Sequence, residues 1–237
     1  MSLSSPAAFV LPQLESIPWL VHGFGTKRLK ERDLAAMPEL ARFRRVSLKQ
    51  VHSDIVRIVK TSSPEGPEGD ALLTDQEGIL LIIKTADCLP LILVDKNKVS
   101  IAAVHCGWRG TRKRLVQKVV RAMQEFFGSV PQDLLVGMGP CISRGCYEVG
   151  EDVYVDFIQA GWHDKGFHKH PYRQGKYFLD LKEVNRLQLL ESGVSKEHIF
   201  SLDFCTHCED AFLSFRRDRK TRGRMMNFVG ISPYDRV

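Results

Sequence analysis

GDALLTDQEGILLIIKTADCLPLILVDKNKVSIAAVHCGWRG, residues 69–110, carries four apolar runs in close succession. They are ALLT (71–74), ILLIIK (79–84), LILVD (91–95) and SIAAVH (100–105). Each is short and ends at charged or turn-forming residues, so each reads as a strand buried on both faces rather than a helix. Pro90 separates the second and third runs, which predicts a bend there beside Asp87 and Cys88.

Upstream, WLVHGFGT (19–26) reads as a short strand ending at glycines, and 32–43 as weakly helical. A strand from Val46 leads into QVHSD (50–54), and IVRIVK (55–60) gives another. TSSPEGPEG (61–69) is a loop by composition. Downstream, residues 112–127 form the strongest helix. Leu115, Val116, Val119, Val120, Met123, Phe126 and Phe127 share one face, Thr111 caps the start and Gly128 ends it. Helices are also expected over 151–160 and 181–192, the latter with an Asp180/Glu183 capping box and Gly193 at its end. Strands near 133–138, 199–204 and 225–231 complete the pattern, and 161–177 reads as a long surface loop. The expectation is an α/β (α+β mixed) fold, residues 1–237 forming a single domain of mixed β-sheets with outer helices.

The bulk numbers agree. A chain of 237 residues buries roughly 70% of its unfolded surface, and 43% hydrophobic with 26% charged residues is ordinary for a water-soluble protein. The net charge of +6 favours anionic substrates. Arg216, Arg217, Arg219, Lys220, Arg222 and Arg224 cluster late. With no aromatic platform between them they read as a solvated basic loop, and no nucleic-acid partner is expected. No apolar stretch reaches the ~18 residues of a membrane span. Met1–Pro12 lacks the pattern of a secretory leader, which predicts a cytoplasmic, reducing location with the six cysteines as thiols or ligands.

Three places carry metal-capable side chains where strands end or bend: His52 in QVH, Cys88 in TADC, and His105 before CGWRG. A histidine–cysteine–histidine set suits zinc, and three ligands leave a fourth position open for catalysis. Their separations of 36 and 17 residues follow no rule, and buried His or Cys in a core is the alternative. Arg109 is an anion clamp or part of a packing corner with a structural ion pair. Asp87 orients a ligand histidine, transfers a proton, or caps a turn. Gln50 contacts substrate or is a surface glutamine. GPCISRGC (139–146) is a backbone anion nest or a tight turn in the cleft wall, and Tyr147 stacks on a base or packs in the core. Cys205-Thr206-His207-Cys208 is half of a structural zinc knob that lacks two ligands; Cys141 and Cys146 are spaced too widely for the usual second pair.

HGFGT (22–26), QVHSD (50–54), GDALLTD (69–75), KTADCLPLILVD (84–95), AAVHCGWRGT (102–111), GMGPCISRGCYEVGEDV (137–153) and CTHCEDAFLSFRRD (205–218) together resemble the polyphenol-oxidase "laccase-domain" (YfiH-like) family. Its members are regarded as purine nucleoside phosphorylases. The resemblance implies zinc held by His52, Cys88 and His105, with copper a lesser alternative. It implies phosphorolysis of adenosine, inosine, guanosine and methylthioadenosine, with phosphate as co-substrate, and deamination of adenosine. It also implies two layered sheets, similar to the cytotoxic necrotizing factor catalytic domain, and with that a rival in which Cys88 is a hydrolase nucleophile and His105 its base. Some relatives edit peptidoglycan precursors in the same cleft. The chain is expected as a monomer or weak homodimer. It departs from the family at Lys27-Arg28-Leu29-Lys30, at Ser53 where glycine is usual, and at Cys106; Arg222-Gly223-Arg224 resembles the family's TGR. True multicopper chemistry needs repeated His-x-His pairs, and His168/His170 is the one such pair among eight histidines.

Overall fold

The apolar runs alternate, and the alternation sorts them into layers. Leu91, Leu93, Ala102 and Val104 join one hydrophobic cluster, while their neighbours Ile92, Val94, Ile101 and Ala103 join a second. Leu81 and Ile83 belong to that second cluster, and Leu80 and Ile82 to a third. Two sheets therefore pack face to face, each with a helical layer outside. The computed structural model describes residues 6–60, 66–219 and 223–233.

In chain order the elements are β1 (Ala8–Phe9), α1 (Pro12–Glu15), β2 (Leu20–Gly25), α2 (Glu31–Ala36), α3 (Pro38–Ala41), β3 (Arg44–Ser47), β4 (Val56–Ile58), β5 (Ala71–Thr74), β6 (Ile79–Thr85), β7 (Leu89–Asp95) and β8 (Ser100–Cys106). There follow α4 (Trp108–Arg112), α5 (Leu115–Phe127), β9 (Leu135–Met138), β10 (Glu148–Gly150), α6 (Glu151–Gln159), β11 (Phe167–Lys169), β12 (Lys176–Leu179), α7 (Leu181–Glu191), β13 (Ile199–Ser201) and β14 (Met225–Ile231). One sheet runs β13-β9-β7-β8-β5-β4, the other β1-β2-β14-β6-β3, and a small third sheet runs β10-β12-β11. The pairs β13/β9, β4/β5 and β3/β6 are parallel and the rest antiparallel, so the fold is mixed α/β with layered mixed sheets. Helix α5 covers the outer face of the six-stranded sheet through Leu115, Val116, Val119 and Met123. Among the described residues no helix is long and apolar enough to cross a membrane.

Several expectations are corrected. Pro90 does not bend the chain; it lies inside β7, opposite His105, and the bend falls at Asp87, whose φ is +81°. The strand expected from Val46 to Asp54 ends at Ser47. The helix over 112–127 is two helices, because Arg114 takes a left-handed φ of +62° between α4 and α5. Thr111 is therefore no cap: it is buried in α4 and accepts a hydrogen bond from Asn185 Nδ2 at 3.0 Å. Phe126 faces solvent, at 57% exposure. The 161–177 segment is no plain surface loop. It holds β11 and the start of β12, with Trp162, Phe167 and Tyr177 buried against α6 and Tyr177 stacked on Tyr154 at 4.1 Å. The 61–69 loop lies partly outside the described residues.

Candidate active site and metal centre

Strand register assembles the site. In the β5/β8 ladder Ala71 faces Val104, so the preceding Asp70 lies beside His105, whose N–H donates to the Asp70 carbonyl at 2.8 Å. In the β7/β8 ladder Leu89 faces Cys106, which brings Cys88 to Gly107. A Cβ on Gly107 would stand 3.2 Å from Cys88 Sγ and 2.8 Å from His52 Cδ2, so only glycine leaves room for both side chains. His52 itself sits at φ +58°, a backbone state that costs ~1–3 kcal/mol away from glycine. Asp70 offsets that cost. Its fully buried carboxylate accepts the N–H of His52 at 3.1 Å, the N–H of Ser53 at 2.5 Å and the Ser53 hydroxyl at 2.6 Å.

The donor atoms of His52, Cys88 and His105 all lie within 4.8 Å of one another. Cys88 Sγ is 3.9 Å from His52 Nε2, and the two imidazoles meet edge to face with centroids 4.9 Å apart. Asp70 Oδ1 takes the Nδ1 side of His105 at 2.8 Å, which leaves Nε2 as the ligand atom. Burial alone pushes the Asp70 carboxyl up, but the bonds from His105 and Ser53 outweigh it and hold the group at about 2. Burial likewise opposes ionisation of Cys88, and the His105 and His52 rings more than reverse this, so the thiol is acidified. Burial disfavours a charged His105, while Cys88 and Asp70 beside it win and raise its pKa. The set is a polarised S/N/N triad that suits a metal ion.

The trio lines a cavity of about 590 Å³, within the range of small-molecule sites. Lys84, Arg109, Arg216 and Arg224 supply positive charge, and Trp108, Tyr147 and Phe215 supply aromatic faces. Arg109 lies 4.4 Å over the Trp108 ring, and among the described residues no acidic side chain pairs with it, so the alternative of a packing corner with a structural ion pair lacks its acidic partner. Arg216 packs over Tyr147 at 5.2 Å and donates to the Glu148 carbonyl at 2.8 Å.

The remaining residues land differently from expectation. The carboxylate that orients a histidine is Asp70, not Asp87. Asp87 accepts from the Thr206 hydroxyl at 2.7 Å, the Ser214 hydroxyl at 3.1 Å and the Arg216 N–H at 2.7 Å, and so ties its bend to the 206–216 segment. Gln50 lines the cavity, but its amide donates to the Lys84 carbonyl at 2.8 Å and accepts the Lys84 N–H at 2.7 Å, fastening the His52 loop to β6. In 139–146 the N–H groups of Gly139 and Ile142 are spent on the carbonyls of Pro90 and Asp87, so the segment is a turn in the cavity wall rather than an anion nest. The basic run divides: Arg217 donates to the carbonyls of Thr206, His207 and Phe212 as a loop fastener, whereas Arg216 and Arg224 reach the cavity. Lys220 and Arg222 lie outside the described residues.

Sequence reasoning missed Asp70, Lys84, Trp108, Phe215 and the cavity role of Arg216. Asp70 had one signal, a carboxylate immediately ahead of a strand inside a quoted motif. The others had none beyond residue type.

Comparison with known proteins bears on these features. The family model described as multi-copper polyphenol oxidoreductase laccase matches residues 28–232. The purine nucleoside phosphorylase YlmD of Geobacillus stearothermophilus is 39% identical over 198 residues, covering 78% of this chain and 71% of its own. The adenosine deaminase RL5 of an unknown prokaryotic organism is 36% identical over 163 residues, covering 68% and 61%. The crystal structure of the hypothetical protein YfiH of Bacillus licheniformis superposes with a TM-score of 0.87 at 27% identity, covering 97% of this chain and 98% of that one.

Proposed function

The chain belongs to the multi-copper polyphenol oxidoreductase laccase family, and from that membership we propose that it is a zinc-dependent purine nucleoside phosphorylase with adenosine deaminase activity, working in the cytoplasm. The observation that carries this reading is the meeting of His52, Cys88 and His105 in a cavity rimmed by cationic and aromatic side chains. One thiolate and two imidazoles, one of them backed by a buried carboxylate, are a donor set that fits zinc better than copper-oxidase clusters, which need paired histidines. His168 and His170 contact Arg144 and Glu148 instead.

Bound by these three residues, zinc supplies Lewis acidity toward water and toward charge that develops on the substrate. The chain's own groups do the rest. Arg109, packed over the Trp108 ring, offers its guanidinium fork to phosphate. Tyr147 and Phe215 offer ring faces to the purine, and Arg216 steadies Tyr147. Asp87 acts as a positioning residue, since its bonds carry Phe215 and Arg216 to the cavity edge. Placing phosphate beneath the ribosyl carbon while the base is held above it is the main catalytic demand of phosphorolysis.

The test is product analysis of adenosine incubated with zinc-loaded protein, with and without phosphate. Adenine plus ribose-1-phosphate, formed only with phosphate, marks phosphorolysis; inosine marks deamination. A His105→Ala chain is expected to lose both reactions together with its cavity zinc while remaining folded, and wild-type turnover in that chain overturns the scheme. Arg109→Ala is expected to raise the KM for phosphate more than that for nucleoside.

A second reading keeps Cys88 as a nucleophile, because its acidified thiol lies beside His105. Metal-free protein that retains full activity, and loses it on alkylation of Cys88, selects that reading.

A further inference from the structure

Outside the cavity lining, three more sulfur atoms converge. The Sγ atoms of Cys146, Cys205 and Cys208 all lie within 4.8 Å of one another, with Cys146 and Cys208 3.2 Å apart, and all three thiols are free. Cys205 and Cys208 form a C-x₂-C pair, the spacing that lets one turn offer two thiolates to one ion. Cys146 is brought in from 62 residues away by a separate turn. The two turns are already joined. Cys141 and Cys205 form a β-bridge, Thr206 N–H donates to the Cys141 carbonyl at 3.1 Å, and Ser143 N–H donates to Cys205 Sγ at 3.3 Å. A Zn–S bond of about 2.3 Å sets sulfurs roughly 3.8 Å apart in a tetrahedron. The Cys146–Cys208 pair is closer than that and the other two pairs lie within 4.8 Å, so the three sulfurs already stand at the scale of a single ion's coordination shell.

We propose that Cys146, Cys205 and Cys208 form a second metal site, for a soft divalent cation of the zinc class. Among the described residues no fourth histidine, cysteine or carboxylate joins the three, and Cys208 is exposed, so solvent takes the remaining position. Its role is assigned as structural from what it joins, since none of the three cysteines lines the cavity. Cys146 adjoins Tyr147, and Cys205 adjoins Thr206, which holds Asp87, so the ion staples together two segments that wall the cavity. Binding releases the thiol protons to solvent and changes no oxidation state.

Four full-length chains test this, each purified under reducing conditions and analysed for zinc by mass spectrometry. Two zincs are expected in the wild type, one in His105→Ala, one in Cys208→Ser and none in the double variant. Cobalt(II) loaded into His105→Ala is expected to show intense thiolate-to-cobalt charge transfer that Cys208→Ser weakens. Because Cys208 is exposed, its serine variant should fold, and the cobalt spectrum of the Cys208-intact chain stands even if it does not. A His105→Ala chain without zinc, a Cys208→Ser chain that keeps both zincs, or thiol titration showing Cys146 and Cys208 oxidised to a disulfide under these conditions each overturns the proposal.

Discussion

His52, Cys88 and His105 come from a loop, a bend and a strand end, and one buried carboxylate holds two of those three places at once. Cys146, Cys205 and Cys208 come from two turns near the surface, which meet at the sulfurs through the Ser143 N–H on Cys205 Sγ at 3.3 Å and the Cys146–Cys208 contact at 3.2 Å. The first cluster is prepared by the fold. Its ligands hang from the β5/β8/β7 ladders, whose register is fixed by apolar packing on both faces. The second is brought near by loop contacts and depends on an ion to finish it. A site meant for chemistry gains from donors that need no rearrangement, whereas a staple needs only to hold two segments together.

The largest break in that contrast is expected from Asp70→Asn. An asparagine keeps one acceptor oxygen but turns an NH₂ group toward either His105 Nδ1 or the Ser53 N–H, both of which need an acceptor. Losing the carboxylate behind a ligand histidine lowers metal affinity by about 10–100-fold. Competition with a calibrated chelator measures it, in a chain that also carries Cys208→Ser so that only the cavity cluster reports. Unchanged affinity means that strand register alone sets the triad and the carboxylate is incidental.

Glycines beside the two clusters give a sharper and smaller contrast. Gly107→Ala puts a methyl 2.8 Å from His52 and 3.2 Å from Cys88, so a ligand must shift. Overpacking of this kind costs ~1–3 kcal/mol, which corresponds to about fivefold or more in zinc affinity if the strain falls on the bound state. A Cβ on Gly145, next to Cys146, meets nothing within 4 Å. Gly145→Ala is therefore expected to leave zinc content and affinity unchanged at both clusters. Equal effects of the two substitutions remove the claim that the cavity cluster is the tightly fitted one.

How much of this was legible in sequence follows from how far each signal travels. The runs at 71–74, 79–84, 91–95 and 100–105 were legible because uninterrupted apolar stretches survive without any knowledge of partners. The same property hid which sheet each strand joins, since residues buried on both faces show no polar alternation. The break at Arg114 carries no glycine or proline to mark it, and β11 is only three residues long, too short to stand out among Gly, His and Lys. The metal trio was legible only through the family resemblance, because separations of 36 and 17 residues encode nothing by themselves. Asp70 was missed since its link to His105 is a ladder contact across 35 residues, and the third sulfur of the surface cluster was missed for the same reason across 62.

The smallest expected effect tests whether the cavity cluster is held with reserve. The Ser53 hydroxyl is one of several donors to Asp70. Ser53→Ala removes that hydroxyl and keeps the backbone N–H, at an expected cost of about 1 kcal/mol in the stability of metal-free protein. The difference between the two chains should be full above roughly pH 4 and fade in acid. The Asp70 carboxyl sits at about 2 when folded against 3.8 for an ordinary aspartate, so its stabilisation, at most about 2 kcal/mol, is complete above roughly pH 4 and is lost as pH falls toward 2. Without the hydroxyl the folded value moves up toward 3.8, the window narrows and less stability is lost across it. Urea denaturation of both metal-free chains between pH 2 and pH 6 measures the difference. A Ser53→Ala chain with the full wild-type acid loss would show that the backbone N–H groups and His105 alone hold the carboxylate, and that the Ser53 hydroxyl does not share in fixing the triad.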